Sequence, residues 1–206
     1  YVVADGMGGH AAGEVASHIL VDVVRQELAG RAALGEADLS AAIHAANRAI
    51  LQTVAERPDC QGMGTTATIL HLDGDQAWWA HVGDSRLYLL HGGALHQVTR
   101  DHSYVEDLVA RGELTEEEAR IHPRKNVLTR AVGVENDILV DTGRFAIEPG
   151  DVLLLATDGL MNMVPEAEMI AILSRQEGNT AQALVDAALA SGGRDNVTAT
   201  VVVHAS

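Results

Sequence analysis

The sequence predicts an α+β fold in which two antiparallel sheets stack on each other and helices cover both outer faces. Two observations predict it: a pair of amphipathic helical segments stands towards each end of the chain, and most of the short β-type segments lie between the pairs. Because an amphipathic helix must bury its apolar stripe on a sheet, two separate pairs favour one covered face on each side. The length of 206 residues fits a single domain, 1–206.

The first helical pair follows a short β-type segment. The chain opens with YVVAD and GMGGHAAGE, and apolar residues then recur at helical spacing over 15–28 and 39–54. Asp38 is the expected N-cap of the second helix. Since Tyr1 is not an initiator residue and YVVAD has the pattern of a buried strand, we expect an N-terminally truncated chain that lacks one or more strands.

A β-type block and then a polar block follow. Three segments are rich in β-branched and aromatic residues, namely TTATILHL, QAWWAHV and SRLYLLH. The hairpin dipeptides Asp73-Gly74 and Gly92-Gly93 predict an antiparallel meander. Residues 101–132 are polar with helical character, which predicts a flap packed beside the sheets. Strand patterns return at ILVDTGRF and VLLLATD, followed by helical patterns at 166–175 and 180–190 and a last strand in NVTATVVVH.

The composition excludes several classes of partner and location. The net charge is -15, from 14 basic and 29 acidic residues, which argues against a nucleic-acid partner. The single cysteine, Cys60, cannot form an internal disulfide, and this fits the reducing cytoplasm. No apolar stretch approaches the length that a bilayer requires, and no signal peptide is visible. We therefore expect a cytoplasmic protein without a membrane segment in this chain.

Three aspartates stand where apolar β-type segments meet a turn or loop. They are Asp5 in YVVADG, Asp158 in VLLLATDG and Asp195 in GGRDNVTATVVV. Carboxylates gathered at a sheet edge repel one another unless cations hold them, and oxygen ligands suit hard ions such as Mg²⁺ and Mn²⁺. Asp-Gly is also a common turn dipeptide, and for either Asp-Gly pair taken alone the turn is the better explanation. The three sites together favour a metal centre.

Asp84 in HVGDSR has two interpretations that the residues leave open. In one, Gly83-Asp84-Ser85 is a tight turn and Arg86 is a surface cation that pairs with Asp84. In the other, Asp84 is a further carboxylate near the metals.

Seven motifs occur in order along the chain: DGMGGHAAGE, GMGTTAT, GDSRLYLL, TRDHS, HPRKNVLTRAVG, ATDGL and GGRDNVTATVVV. In order and spacing they resemble the motifs of bacterial metal-dependent serine/threonine protein phosphatases, the PPM or type 2C family. The resemblance extends from Tyr1 to Val203. It implies a four-layer α-β-β-α sandwich with a two-metal centre at one end of the sheets.

The resemblance also implies which residues bind the metal. Two ions, Mn²⁺ or Mg²⁺, would share the oxygen ligands of Asp5, Gly6, Asp158 and Asp195. Asp5 would bridge both ions, and Gly6 would contribute its carbonyl. Asp84 resembles the ligand of a third, weaker ion that it would share with Asp158. Asn196 adjoins the last ligand and is expected to support it without contacting an ion.

The implied activity is the dephosphorylation of phosphoserine and phosphothreonine in proteins. Two divalent ions about 3.5–4 Å apart bring the pKa of a shared water near 7, so a metal-bridged hydroxide would attack the phosphorus without a Ser, Cys or His nucleophile. Phosphorylated proteins would be the substrates, and a cognate Ser/Thr kinase the opposing enzyme. We expect the protein to be a monomer.

Two histidines stand in settings that suggest chemistry, and one of them is a candidate for a part in it. Many relatives carry a histidine directly after the first Asp-Gly, where this chain has Met7, and His10 is therefore the candidate general acid. A loop histidine bonded to water or backbone explains His10 equally well. Asp101-His102 resembles a metal-binding pair. In the phosphatase family, however, the DHS motif begins the flap segment, and we expect it to stabilise a turn.

Two other functions stay open. Family members usually carry, upstream of the first Asp-Gly, an arginine that grips the substrate phosphate and an acidic residue near the metals. The stretch that would hold both is not in this sequence, so a catalytically weak regulatory or phosphopeptide-binding domain is the alternative. A metal phosphohydrolase that acts on a small molecule is the other.

Overall fold

Two stacked antiparallel sheets form the centre of the molecule. The computed structural model describes residues 1–31, 33–175 and 178–205, apart from the side chain of His10. Within these residues there are two four-stranded sheets and one two-stranded ribbon. No helix in the described part of the chain is both long and apolar enough to span a membrane.

All strand pairs are antiparallel. The first sheet contains, in spatial order, β1 (Val2–Val3), β4 (Ala67–Asp73), β5 (Gln76–Val82) and β8 (Asp141–Ala146). The second contains β10 (Ala199–Val203), β9 (Val152–Ala156), β6 (Arg86–His91) and β7 (Ala94–Gln97). The ribbon pairs β2 (Gly6–Met7) with β3 (Gly64–Thr65). The predicted meander is present in the hairpins β4–β5 and β6–β7.

Helices cover the outer face of each sheet. The first sheet packs against α1 (His10–Leu28) and α2 (Glu36–Glu56). The second packs against α6 (Glu166–Arg175) and α7 (Thr180–Ala190), whose bounds agree with the sequence prediction. The predicted four-layer α-β-β-α architecture is therefore confirmed.

Alternation along the strands builds the cores between these layers. On β9, Leu153 and Leu155 face the other sheet, whereas Leu154 faces α6 and α7, because successive side chains of a strand point to opposite faces. The core between the sheets is aliphatic and includes Val3, Leu70, Ala77, Leu87, Leu153 and Leu155. Few aromatic residues are needed, as the composition of 3% aromatics already indicates.

The connection between β7 and β8 contains two short helices, α3 (Tyr104–Ala110) and α4 (Glu116–Ile121). The Ser103 hydroxyl accepts a hydrogen bond from the N–H of Glu106 at the start of α3, and Thr115 and Glu118 form a capping box on α4. Both helices lie within residues 101–132, the segment predicted to be a flap. That the chain is one domain stays a prediction.

The predicted N-cap of α2 is wrong. The helix begins earlier, with Gly35 at the N-cap, and Asp38 is the third helical residue. Its carboxylate reaches back to accept the N–H of Gly35 at 3.0 Å. Asp38 therefore still caps the helix start, from inside the first turn and with a charge that favours the helix dipole.

A buried asparagine on α2 fixes the loop that precedes β8. Asn47 is 1% exposed, and its amide donates to the carbonyls of Glu135 at 2.8 Å and Asn136 at 3.3 Å. Its Oδ1 accepts the N–H of Gly133 at 2.6 Å. Gly133 has φ 92°, and a Cβ atom there would collide with Ile50. The loop is thus held against α2 by polar contacts that only a glycine backbone permits.

We expect Asn47→Ala to lower the free energy of unfolding by about 2–4 kcal/mol, because three backbone groups lose a buried partner. Urea unfolding measures the change. Gln52→Ala is the matched control, because Gln52 lies exposed on the same helix and bonds only Glu56 among the described residues. Equal losses in the two variants would contradict the role given to Asn47.

Candidate metal centre

The register of the second sheet brings three of the predicted site residues to one end of the sandwich. The last residue of β9 pairs with the first residue of β10 and with the first residue of β6. Asp158 follows β9, Asp195 precedes β10 and Asp84 precedes β6. The three carboxylates therefore leave the sheet at the same edge.

Asp5 reaches this edge from the first sheet, where its backbone is held on both sides. Its N–H donates to Thr66 Oγ1 at 2.9 Å, and its carbonyl accepts the N–H of Thr66 at 2.9 Å and the hydroxyl of Thr65 at 3.0 Å. Thr66 Oγ1 also lies 2.7 Å from Ser85 Oγ, beside Asp84. A buried hydroxyl pair thus connects the segment of Asp5 to the turn of Asp84.

Gly6 lies in close contact with the first turns of α1. A Cβ atom at Gly6 would collide with the carbonyl of Gly13, and one at Gly13 would lie 2.7 Å from the carbonyl carbon of Gly6. Both positions therefore need glycine for β2 to pack on the helix. The sequence prediction named Gly6 only. A glycine inside the helical pattern of AAGE was the available signal for Gly13.

Asp158 begins the short helix α5 (Asp158–Met161) directly after the buried strand β9. The next residue, Gly159, carries no side chain where a Cβ atom would collide with the carbonyl of Asn196. Thr157 Oγ1 accepts the N–H of Thr198 at 3.0 Å. These contacts hold the loop of Asp195 against the start of α5.

Asp195 lies in an exposed loop, and its Oδ1 accepts the N–H of Asn196 at 2.8 Å. The backbone of Asn196, and not its side chain, makes this bond. The role predicted for the Asn196 side chain stays a prediction.

The negative charges of Asp5, Asp158 and Asp195 interact. Burial, followed by the negative charges of Asp158 and Asp195 and a hydrogen bond to Asp158, raises the pKa of Asp5 to about 6. Burial and then the charge of Asp195 raise the pKa of Asp158. Yet no group of three or more His, Cys, Asp or Glu side chains among the described residues has the close arrangement of a finished metal cage. The evidence for a cluster is the strand register that brings these segments to one edge, together with the neighbouring aspartate charges that add to burial in raising the pKa values of Asp5 and Asp158.

Asp84 belongs to the same cluster. Burial, then the charges of Asp158, Asp101 and Asp5, raises its pKa to about 7. The alternative in which Arg86 pairs with Asp84 is wrong, because Arg86 forms a two-point ion pair with Asp101 at 2.8 and 2.7 Å. The side chains of this pair are 29% and 13% exposed.

His10, the candidate general acid, is the first residue of α1. Its side chain lies outside the described part of the structure. The prediction for His10 therefore stays a prediction.

A groove of about 620 Å³ leads away from Asp84 and Asp158. It runs between the predicted flap and the segment of α5 and α6. Apolar side chains line part of it, namely Val105, Val109, Ala119, Met161, Val164 and Met169. Arg100, Arg120 and Lys125 bring positive charge to its wall, and Glu106, Glu116 and Glu166 bring negative charge. The groove can accept an extended chain with mixed polar and apolar side chains.

Known proteins share both the sequence and the fold. The family model described as Protein phosphatase 2C matches residues 1–191. Serine/threonine phosphatase stp of Listeria innocua is 42% identical over 208 residues, which cover 98% of this chain and 82% of that protein. Protein phosphatase PhpP of Streptococcus pneumoniae is 36% identical over 216 residues, with 98% and 84% covered.

Solved structures of related phosphatases share the fold of this chain. The serine/threonine phosphatase PstP/Ppp of Mycobacterium tuberculosis superimposes with a TM-score of 0.91 at 39% identity, covering 99% of this chain and 87% of that one. The catalytic domain of PstP in complex with two manganese ions gives a TM-score of 0.89 at 38% identity, covering 100% and 87%. The sandwich, the order of its motifs and these matches show that the chain belongs to the protein phosphatase 2C family.

Proposed function

We propose that this protein is a metal-dependent phosphatase that hydrolyses phosphoserine and phosphothreonine in proteins. The observation that carries the proposal is the meeting of Asp5, Asp158 and Asp195, from three distant segments, at one end of the sandwich. Membership of the protein phosphatase 2C family supports it, because relatives such as the Listeria innocua protein, which matches 98% of this chain, are named serine/threonine phosphatases.

The residues at this site fit Mn²⁺ or Mg²⁺. The donor set is three carboxylates and one backbone carbonyl, which are oxygen ligands that hard divalent ions prefer, and after burial the charges of Asp158 and Asp195 contribute to the raised pKa of Asp5. We propose that the two ions would be held by Asp5, Gly6, Asp158 and Asp195. Asp84, beside Asp158, would hold a third. When bound, two such ions supply a water with a lowered pKa and neutralise charge on the phosphoryl oxygens.

The groove supports a polypeptide substrate over a small molecule. It begins at Asp84 and Asp158 and continues past them between helices, so residues beside the phosphorylated one have room to bind. Its wall carries both charges, with Arg120 and Lys125 available to an acidic phosphoprotein. The partners we propose are therefore phosphorylated proteins and the Ser/Thr kinase that produces them.

We expect Asp158→Asn to reduce Mn²⁺-dependent hydrolysis of a phosphothreonine peptide by at least about 100-fold, because removal of one carboxylate weakens both the binding of the ions and their positioning. Asp186→Asn, an exposed position on α7, is the control and should keep full activity. Persistent activity in Asp158→Asn would refute the metal assignment. Wild-type protein that binds Mn²⁺ and phosphopeptide without turnover would instead favour the regulatory alternative.

Without divalent ions, Asp84 should destabilise the fold as the pH rises. Its folded-state pKa of about 7 lies above the ordinary 3.8, so the folded state keeps a proton that the unfolded chain releases. The resulting penalty grows between these two values and is constant above them. In EDTA, Asp84→Asn should therefore gain stability over wild type between pH 4 and 7, on the order of 2–4 kcal/mol.

Urea unfolding at several pH values measures this difference, and the pairwise comparison cancels the titrating groups that do not interact with Asp84. Asp186→Asn should show no such trend. A constant difference between Asp84→Asn and wild type across the range would contradict the burial of Asp84 among like charges.

His10→Ala should slow the hydrolysis of a phosphothreonine peptide more than that of p-nitrophenyl phosphate, because the aryl leaving group needs less protonation. The ratio of the two kcat values measures the effect. An equal loss on both substrates would count against a proton-donor role for His10.

A further inference from the structure

The turn that carries Asp84 is held by His102, the second residue of Asp101-His102. The backbone N–H of His102 donates to the carbonyl of Gly83 at 2.7 Å. The N–H of Gly83 in turn donates to His102 Nδ1 at 3.1 Å. Since the Gly83 carbonyl belongs to the peptide group that leads into Asp84, this two-point contact fixes the backbone from which the Asp84 side chain departs.

The contacts of the imidazole determine its tautomer. Nδ1 accepts an N–H, so the ring proton must be on Nε2, which faces Asp141 Oδ2 at 3.1 Å. Arg130 Nη1 lies 3.3 Å from Nε2, but both atoms carry hydrogen in this tautomer, and the guanidinium binds Asp141 Oδ1 at 2.8 Å instead. The side chain of His102 is 4% exposed. Both ring nitrogens are occupied, so His102 is not itself a metal ligand in this arrangement.

His102 also belongs to the neck of the predicted flap, where the chain enters and leaves it. Its carbonyl accepts the N–H of Thr129 at 2.9 Å, and the N–H of Tyr104 donates to the carbonyl of Val127 at 2.8 Å. The ring packs on His81, with centroids 4.9 Å apart. Movement of the neck would therefore be transmitted through His102 to the Asp84 turn.

We propose that His102 is a positioning residue that fixes the orientation of Asp84 and couples it to the neck of the flap. The coupling to catalysis rests on the proposed function, in which Asp84 binds a cation. The hydrogen bond between Gly83 and Nδ1 is a property of the metal-free protein and is tested without it.

Two substitutions of His102 test the contacts of its two ring nitrogens separately. In His102→Asn, Oδ1 takes the place of Nδ1 and can accept the N–H of Gly83. In His102→Gln, the amide nitrogen takes the place of Nε2 and can donate to Asp141, but no acceptor remains near Gly83. Both variants remove the ring and keep a neutral polar side chain, so they are controls for each other.

The first measurement is amide hydrogen exchange of Gly83 by NMR in EDTA. We expect exchange in His102→Gln to be about tenfold faster than in wild type, the factor that matches one ordinary hydrogen bond, and exchange in His102→Asn to stay near wild type. The second measurement is the Mn²⁺ concentration that gives half-maximal hydrolysis of a phosphothreonine peptide. It should rise several-fold in His102→Gln and little in His102→Asn, with KM for the peptide unchanged in both.

Equal Gly83 exchange in His102→Gln and wild type would overturn the proposal, as would a Mn²⁺ requirement that rises equally in both variants. If neither variant folds, the ¹⁵N chemical shifts of the ring nitrogens in wild-type His102 provide the test. A protonated Nδ1 would contradict the proposal, and an unprotonated Nδ1 would support it. Wild-type protein without Mn²⁺-dependent hydrolysis would sink the proposed function, and the exchange data would still test the contact.

Discussion

Carboxylates gathered at one end of two stacked sheets repel one another, and the surrounding segments must hold them in place against that repulsion. Asp5, Asp84 and Asp158 are all partly buried, and each raises the pKa of a neighbour or has its own pKa raised. Left to itself, such a cluster would open, because separating like charges lowers their energy. The fold must therefore hold the backbones on which the carboxylates stand, and divalent cations would supply the compensating charge.

The scaffold holds those backbones by close approach and by buried hydroxyls. Glycines at 6 and 159 let neighbouring segments come nearer than any side chain would permit. Thr66 binds the backbone of Asp5 and touches Ser85, so the two sheets are joined directly beneath the cluster. Arg86 and His102 tie the Asp84 turn to the neck of the predicted flap. The groove next to the cluster is thus built from the same segments that position the acids.

Local sequence patterns predicted the layers well, because helices and strands can be recognised from the spacing of apolar residues alone. The helices of the second outer layer were found with their bounds, and the apolar β-type runs placed the aspartates at strand ends. Choices that depend on tertiary contacts were not predictable. Arg86 pairs with Asp101 and not with Asp84, which is nearer in sequence. Asp38 caps α2 from within its first turn.

The roles of Gly13, Asn47 and His102 were also beyond the sequence. Each depends on a segment distant along the chain, namely β2, the loop before β8 and the Asp84 turn. A glycine inside a helical pattern was a signal for Gly13, and DHS was expected to stabilise a turn, but no local signal identifies the distant segment that each of these residues contacts. Family resemblance named the acids of the site, but the contacts that hold them became visible only in the folded chain.

Anomalous diffraction at the manganese edge, from crystals of this protein grown with Mn²⁺, would locate the metal centre itself. We expect two strong peaks within coordinating distance of the Asp5, Asp158 and Asp195 carboxylates, and a weaker third peak between Asp84 and Asp158. Manganese bound elsewhere, with those carboxylates turned away from one another, would contradict it.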